Sequence, residues 1–258
     1  MKWPTREQVD AYRRDGFVLV EGFLDAHELE RWRAVTADAV SARQAVAAPI
    51  GDAYYQQVFA QLQRLADGHE GMAELILDER LGAIAGLLAG VDGIRVWHDQ
   101  ALIKPPYGNP TAWHLDDPFW SFSSRDAISI WIALDDATAQ NGCLWYLPGT
   151  HRSARFELVE LGPNFGALFE TYPEWLRLEP VPAPCAAGSA VFHNGLVAHA
   201  AGANVTPRPR RAMTCAYMPD GCTFNGIQNV LPDDYVARLR VGDVLDDDAV
   251  NPLVWTSE

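Results

Sequence analysis

Beyond Gly90 the sequence breaks into short apolar runs separated by glycine, proline and asparagine. Many short strands at fairly regular spacing indicate an antiparallel sandwich or barrel. Asn194-Gly195, between two of these runs, predicts a hairpin turn. The predicted strands cover 94–97, 101–104, 112–115, 128–134, 142–147, 190–193, 197–200 and 212–218.

Most of the first 90 residues carry helical patterns instead. Thr5 and Gln8 have the spacing of a capping box, which predicts a helix through Arg14, followed by a strand at 17–20. The pair Asp25 and Glu28 predicts a second helix that runs to about Val46. Apolar spacing predicts further helices at 54–65 and 72–88.

These patterns together predict a mainly β fold with N-terminal helices. We expect one domain over residues 1–258: a helical part at about 1–90, a two-sheet β core at about 91–220 and a tail at about 221–258. The helical part would buttress the two-sheet core.

Composition limits the partners that the chain can have. Its 258 residues include 20 Lys and Arg against 34 Asp and Glu, which gives a formal net charge of −14. Such a field repels nucleic acids and anionic membranes, so a small molecule is the expected partner. The four cysteines form no CxxC pair and the N-terminus has no apolar signal region, so we expect reduced thiols and a cytoplasmic protein. The sequence carries no signal for an oligomeric state.

One histidine is followed two residues later by a carboxylate, in His114-Leu115-Asp116. On a strand, residues i and i+2 share a face, so His114 and Asp116 could bind one metal while Leu115 points into the layer between the sheets. The third ligand would be His193 or His199, and the spacing leaves both open. Two imidazoles and one carboxylate favour non-haem Fe(II), although catalytic zinc uses the same set.

Arg210 lies eleven residues beyond His199, at the start of a predicted strand. A guanidinium binds a carboxylate through two parallel hydrogen bonds, so a dicarboxylate could chelate the metal at one end and pair with Arg210 at the other. The alternative is that Arg210 belongs to a basic surface cluster at 208–211.

Six segments along the chain resemble the phytanoyl-CoA dioxygenase family of Fe(II)- and 2-oxoglutarate-dependent oxygenases. The resemblance covers nearly the whole chain and is specific because the segments occur in order at the right separations. The similar segments are 12–24, 113–120 with the HxD sequence, 131–138, 141–144, 148–152, and the distal set His199, Asn204, Thr206 and Arg210.

The resemblance implies a double-stranded β-helix, which is a jelly-roll or cupin-like core, and an enzyme that uses Fe(II), 2-oxoglutarate and O2. It implies His114, Asp116 and His199 as iron ligands, and so selects His199 over His193. Arg210 would bind the C5 carboxylate of 2-oxoglutarate, and Gln100 and Trp131 would line its pocket. Where many relatives carry Ser or Thr, this chain has Ala201, and it offers Gln57 near the position where some supply a basic residue.

The expected activity is hydroxylation of an unactivated C–H bond in a small metabolite of secondary metabolism, with release of succinate and CO2. Desaturation or rearrangement would use the same machinery. Asp116 occupies the position where halogenating relatives carry a small residue, which disfavours halogenation. Two alternatives remain: a catalytically silent jelly-roll binding protein, and a cupin-like zinc or manganese enzyme with the same three ligands.

The sequence also gives expectations for residues near the site that are neither metal ligands nor co-substrate contacts. Aromatic residues beside the HxD strand would give a partly apolar pocket, and segments 44–55 and 220–231 would act as lids. His98 is expected at the surface or a helix end, and Lys104 at a strand end. The aromatic residues are Trp113, Phe119, Trp120 and Phe122. The lid at 220–231 would offer polar contacts through Asn225 and Gln228.

Overall fold

Two antiparallel β-sheets face each other, and helices cover the outer face of the larger one. The computed structural model describes residues 1–44 and 58–257. The strands are β1 (Phe17–Val20), β2 (Ala60–Gln63), β3 (Gly93–Lys104), β4 (Thr111–His114), β5 (Ile128–Ala133), β6 (Leu144–Tyr146), β7 (Val181–Ala183), β8 (Ala190–Asn194), β9 (His199–Ala201), β10 (Arg210–Pro219) and β11 (Leu253–Thr256). The α-helices are α1 (Arg6–Asp15), α2 (Ala26–Gln44), α3 (Glu70–Ile76), α4 (Glu79–Ala89), α5 (Leu168–Thr171) and α6 (Asp233–Val236).

The larger sheet has the strand order β1-β8-β5-β10-β3-β11, with β2 also paired to β3. The smaller sheet has the order β4-β9-β6-β7. This arrangement confirms the predicted mainly β, double-stranded β-helix core with helices at the N-terminal side.

Side-chain alternation explains how the larger sheet separates a helix-covered face from a cavity-facing one. On β5, Ile128, Ile130 and Ile132 join the core under the helices, whereas Trp131 faces the second sheet. On β10, Cys215 packs in the same helix-covered core. Because successive side chains on a strand point to opposite faces, the polar positions between these apolar ones face the second sheet.

The N-terminal helix starts as predicted. The Thr5 hydroxyl accepts a hydrogen bond from the Gln8 backbone N–H, the Gln8 side chain accepts one from the Thr5 N–H, and Gly16 ends the helix with a φ of 85°. Asp25 and Glu28 exchange the same pair of bonds at the start of α2. Helix α2 is described up to Gln44, so the predicted extension to residue 46, the lid at 45–55 and Gln57 lie outside the described residues.

Two helix predictions were wrong. The apolar spacing at 72–88 suggested one helix, but Asp78 accepts a hydrogen bond from the Arg80 N–H and starts α4 as a separate helix after α3. The segment predicted as a helix at 54–65 instead contains β2, which pairs with β3 from Ala60 opposite Ile103 to Gln63 opposite Gln100. Sheet pairing there overrides helical spacing; residues 54–57 lie outside the described residues.

The strands predicted at 94–97 and 101–104 are one long strand, β3. The polar stretch between them looked like a break, but its Asp99 side chain accepts hydrogen bonds from the backbone N–H groups of Leu65 and Ala66, at 2.9 and 3.2 Å. Strand β10 pairs with β3 along its whole length. A buried carboxylate with backbone donors can therefore sit within a continuous strand.

The predicted hairpin at Asn194-Gly195 was also wrong. The turn exists, since the Val197 N–H donates to the Asn194 carbonyl at 3.0 Å, but β8 and β9 lie in different sheets. Strand β8 already pairs with β1 on one edge and β5 on the other, so it has no free edge for β9. The chain therefore crosses from the larger to the smaller sheet at this turn, which carries His199 to the cavity.

The outer face of the smaller sheet is covered by the segment that follows β6. Leu115 packs there with Leu147, Leu168, Tyr172 and Trp175, so the prediction that Leu115 points between the sheets was wrong. His114, the preceding residue and the last of β4, lies on the side of the cavity between the sheets. Among the described residues, no helix has the length and apolar character needed to cross a membrane.

We predict that Gly86→Ala destabilises the fold, because a methyl group at Gly86 on α4 would overlap the Trp255 ring of β11. The free energy of unfolding, measured by urea denaturation, should fall by about 1–3 kcal/mol. Gly71→Ala on α3 is the matched control: its nearest neighbour would be His69 Cε1 at 3.4 Å, and alanine favours a helix. Equal stability of the two variants would contradict the described packing of β11 on α4.

Candidate metal and co-substrate site

His114, Asp116 and His199 come together at one end of the smaller sheet. His114 ends β4 and lies directly opposite His199 on β9 in the strand register. The Asp116 Oδ1 atom is 3.5 Å from His114 Nε2 and 3.6 Å from His199 Nε2. One ligand atom from each residue lies within 4.8 Å of the other two, so the three side chains could hold a single metal ion.

Asp116 does not lie on a strand, contrary to the prediction from the sequence. Strand β4 ends at His114, and Asp116 has helical backbone angles, φ −82° and ψ −49°, at the start of a short 3-10 helix. Its backbone N–H donates to the Gly195 carbonyl at 2.9 Å, which ties it to the turn between the sheets. The shared face of His114 and Asp116 therefore depends on this turn and not on strand alternation.

Hydrogen bonds fix both imidazoles with Nε2 toward the shared point. The His114 Nδ1 atom is 2.8 Å from the Ala112 carbonyl oxygen, and the His199 Nδ1 atom is 3.1 Å from that of Val197. A carbonyl oxygen can only accept, so each Nδ1 carries the proton and each Nε2 has a free lone pair. That tautomer is the one that metal binding through Nε2 requires.

The charges also suit a divalent cation. Burial raises the pKa of the Asp116 carboxyl, but the imidazoles around it outweigh this effect and hold that pKa well below its usual range. Burial lowers the pKa of His199 to about 3. An ionised carboxylate beside a neutral imidazole is the protonation state of metal ligands.

His193, the other histidine left open by the sequence, contacts Asp116 from the larger sheet. Its Nε2 atom is 3.2 Å from Asp116 Oδ2, and its Nδ1 atom is 3.1 Å from the Tyr146 hydroxyl oxygen. The Ser129 hydroxyl donates to the same Oδ2 atom at 3.4 Å. The two oxygens of Asp116 thus have different neighbours, and Oδ1 is the one beside His114 and His199.

Arg210 is buried in the same cavity and is not a surface residue. Only 3% of it is exposed, its Nη2 donates to the Gly142 carbonyl at 3.1 Å, and its Nε and Nη1 atoms have no hydrogen-bond partner among the described residues. Burial lowers the pKa of Arg210 to about 10, so it remains a cation at neutral pH. A buried cation with free donors is costly unless an anion binds to it.

A cavity of about 460 Å³ joins these groups between the two sheets. Gln100 and Trp131 both line it, and the Arg210 guanidinium carbon lies 5.1 Å from the centre of the Trp131 ring. Ala201 also lines it, where relatives with Ser or Thr would offer a hydroxyl group. The residues predicted to bind the metal and the co-substrate therefore face one cavity: His114, Asp116, His199, Arg210, Gln100 and Trp131.

Several residues near the cavity were misjudged or missed. His98 was expected at the surface but is 6% exposed on β3 and lines the cavity, and Lys104 is completely buried beside Arg210. Burial and the charge of Arg210 lower the pKa of Lys104 to about 7. Strand alternation from Gln100 to His98 was the available signal for His98, and it needed β3 to be continuous.

Only some of the aromatic and lid residues that were expected near the site line the cavity. Phe119 and Trp120 line the cavity, whereas Trp113 packs on the outer face of the smaller sheet. Asn225 and Gln228 do not line it; Asn225 donates to the Trp120 carbonyl at 3.0 Å, and the nearby Asn229 lines the cavity instead.

Comparison with known families gives one match over most of the chain. The sequence model of the phytanoyl-CoA dioxygenase family matches residues 12–212. A methylphosphonate hydroxylase of Gimesia maris is 28% identical over 222 residues, which are 83% of this chain and 80% of that protein. With some other curated relatives the chain aligns over about half of their length.

Solved structures match over almost the whole chain. The non-haem α-ketoglutarate-dependent carbocyclase SnoK from nogalamycin biosynthesis is 27% identical with a TM-score of 0.83, covering 97% of this chain and 96% of that one. The epimerase SnoN, solved with Fe3+, α-ketoglutarate and nogalamycin RO, is 28% identical with a TM-score of 0.80, covering 96% and 97%.

We predict graded effects of histidine substitutions on metal affinity, measured by anaerobic calorimetric titration with Fe(II). His199→Ala should remove binding, because it deletes one of three ligand atoms. His193→Ala should weaken binding by about 10- to 100-fold, since it removes hydrogen bonds to Asp116 and Tyr146 but no ligand atom. His27→Ala, at an exposed position, is the control. The reverse order, with His193→Ala abolishing binding and His199→Ala tolerated, would assign the third ligand to His193.

We further predict that Arg210→Met weakens 2-oxoglutarate binding by at least about 30-fold, because the anion loses its buried partner. Arg211→Met is the matched control, since the adjacent Arg211 pairs with Asp135 at 2.6 Å and does not line the cavity. Binding is measured by titration of the anaerobic Fe(II) protein. Equal losses in the two variants would place the co-substrate away from Arg210.

Proposed function

The chain belongs to the phytanoyl-CoA dioxygenase family, and from this premise we propose that it oxidises an unactivated C–H bond of a small metabolite at the cavity between its sheets. Membership makes it an Fe(II)- and 2-oxoglutarate-dependent dioxygenase that uses O2, as its relatives crystallised with iron and 2-oxoglutarate indicate. The proposal adds the residues that hold these groups and the outcome of the reaction.

His114, Asp116 and His199 would hold the iron. Their donor set of two imidazoles and one carboxylate fits a ferrous ion with open positions for other ligands. The Asp116 contacts with His193 and Ser129 would keep the carboxylate oriented when the metal binds. Ala112 and Val197 would fix the two imidazole rings in the same way, through their carbonyl oxygens.

The observation that carries the proposal is the free guanidinium of Arg210 in the cavity that also contains the three metal-binding side chains. Its unpartnered Nε and Nη1 donors are suited to the far carboxylate of a dicarboxylate. Trp131 lies against the guanidinium, and Gln100 would line the same part of the cavity. This combination fits 2-oxoglutarate, which carries a chelating 2-oxo acid at one end and a carboxylate at the other.

When bound, iron and 2-oxoglutarate supply oxidation by O2, in which the co-substrate is converted to succinate and CO2. The protein's part is to hold the substrate C–H bond beside the metal and to exclude water from the cavity. Asp116 retains the carboxylate that halogenating relatives lack, so hydroxylation, desaturation or rearrangement is the proposed outcome. The structural matches include a carbocyclase and an epimerase, so reactions other than hydroxylation occur among similar proteins.

The two alternatives have less support from the same residues. A cupin-like zinc or manganese enzyme would use the three ligands but would have no need for a buried Arg210 whose Nε and Nη1 atoms lack a partner among the described residues. A silent binding protein would not need both imidazoles fixed with Nε2 free. Secondary metabolism is the proposed setting, because the two structural relatives come from nogalamycin biosynthesis.

Succinate formation tests the proposal without knowledge of the substrate. We expect slow O2-dependent conversion of 2-oxoglutarate to succinate by the Fe(II) protein, and none when Zn(II) replaces Fe(II). Asp116→Ala should reduce the rate to background, because one metal ligand is lost. Arg211→Met, outside the cavity, should retain the rate. Full succinate formation by Asp116→Ala would remove Asp116 from the metal site, and none by the wild type would favour the alternatives.

A further inference from the structure

Among residues 1–44 and 58–257, the cavity wall beyond the metal-binding side chains and Arg210 carries no buried charged group. We infer that the substrate is an uncharged ring compound bearing hydroxyl or carbonyl groups, and not a phosphonate, a carboxylate or a CoA thioester. This inference rests on the proposed function, since it takes Arg210 to be occupied by 2-oxoglutarate.

The described part of this wall contains no lysine or arginine apart from Arg210. The sequence at 45–57 contains no Lys, Arg or His, so that segment cannot supply a cation either. His98 also lines the cavity, but burial lowers its pKa to about 4, which leaves its imidazole neutral at physiological pH.

Anions are equally scarce on this wall. Apart from Asp116, the carboxylate that lines the described cavity is Glu160, which is exposed to solvent. A cationic or an anionic substrate would therefore find no buried partner of opposite charge on this wall among the described residues. Because burying an unpaired charge costs far more than burying a hydrogen-bonded neutral group, both kinds of substrate are disfavoured.

Uncharged polar groups line the same wall. Gln63 on β2 and Asn229 offer amide groups to the cavity. The Thr214 hydroxyl on β10 and the His98 Nδ1 atom are buried and have no hydrogen-bond partner among the described residues. Such groups are satisfied by hydroxyl or carbonyl groups of a ligand, which can donate or accept without carrying charge.

Aromatic and aliphatic side chains complete the wall. Phe119 and Trp120 line the cavity from the segment that follows Asp116, and Leu161 lines it from the segment that covers the smaller sheet. Flat apolar surfaces of this kind pack well against a ring. The wall therefore combines apolar faces for a ring with neutral polar groups for its oxygen substituents, which is the usual composition of a specific small-molecule site.

A matched pair of probes tests the inference: phenyl β-glucoside, which is uncharged, and phenyl β-glucuronide, in which a carboxylate replaces the CH2OH group. The anaerobic protein is first loaded with Fe(II) and 2-oxoglutarate, and the visible charge-transfer band of the iron-bound 2-oxo acid is recorded. Each probe is then titrated, and the perturbation of that band gives its Kd. We expect the glucoside to bind at least about tenfold more tightly than the glucuronide.

A charge variant makes the test specific to the wall. Gln63→Arg adds a cation to the cavity and should shift the preference toward the glucuronide by about tenfold, whereas Gln140→Arg, at an exposed position outside the cavity, should leave it unchanged.

The outcomes distinguish a failure of the proposed function from a failure of the inferred substrate class. If the charge-transfer band does not form, the proposed function fails, and the substrate class fails with it. If the band forms but the glucuronide binds as tightly as the glucoside, or neither probe binds, the proposed function stands and the substrate class is wrong. Equal preferences in Gln63→Arg and Gln140→Arg would also overturn the assignment of the wall.

Discussion

The arrangement of this protein depends on a buried positive charge that the described chain does not neutralise. Arg210 has one hydrogen bond, to the Gly142 carbonyl, and two unpartnered donor atoms in a cavity shared with Asp116. Leaving such a group unpaired destabilises the folded protein, so its retention indicates a bound anion. The adjacent Arg211 illustrates the contrast, because it pairs with Asp135 outside the cavity.

The fold brings the two halves of the site together through the crossing between its sheets. β8 lies between β1 and β5, so the chain must leave the larger sheet after Asn194, and His199 then lies opposite His114 in the smaller one. Asp116 connects both sheets, since one oxygen lies beside the two imidazoles and the other contacts His193 and Ser129.

Many of the helix starts and strands could be predicted from the sequence, because the local patterns that indicate them have a direct physical cause. The capping boxes at Thr5 and Asp25 start helices, and the apolar runs after Gly90 form strands. The family resemblance selected the residues that face the cavity, including Gln100 and Trp131. Spacing alone could not choose between His193 and His199, because both flank the same turn.

The rest depended on tertiary contacts that no local pattern contains. Segment 60–63 is a strand because β3 offers it an edge, and β3 is continuous because Asp99 finds backbone donors at Leu65 and Ala66. The burial of Lys104 and His98 follows from that continuity. Leu115 faces outward because a segment distant in sequence covers that side of the smaller sheet.

Anomalous X-ray diffraction from anaerobic crystals grown with Fe(II) and 2-oxoglutarate would test the central claim most directly. The account predicts one iron atom bonded to Nε2 of His114 and His199 and to an oxygen of Asp116, with the far carboxylate of 2-oxoglutarate on Arg210. Iron bonded to His193 in place of His199, or 2-oxoglutarate bound with Arg210 still unpaired, would contradict it.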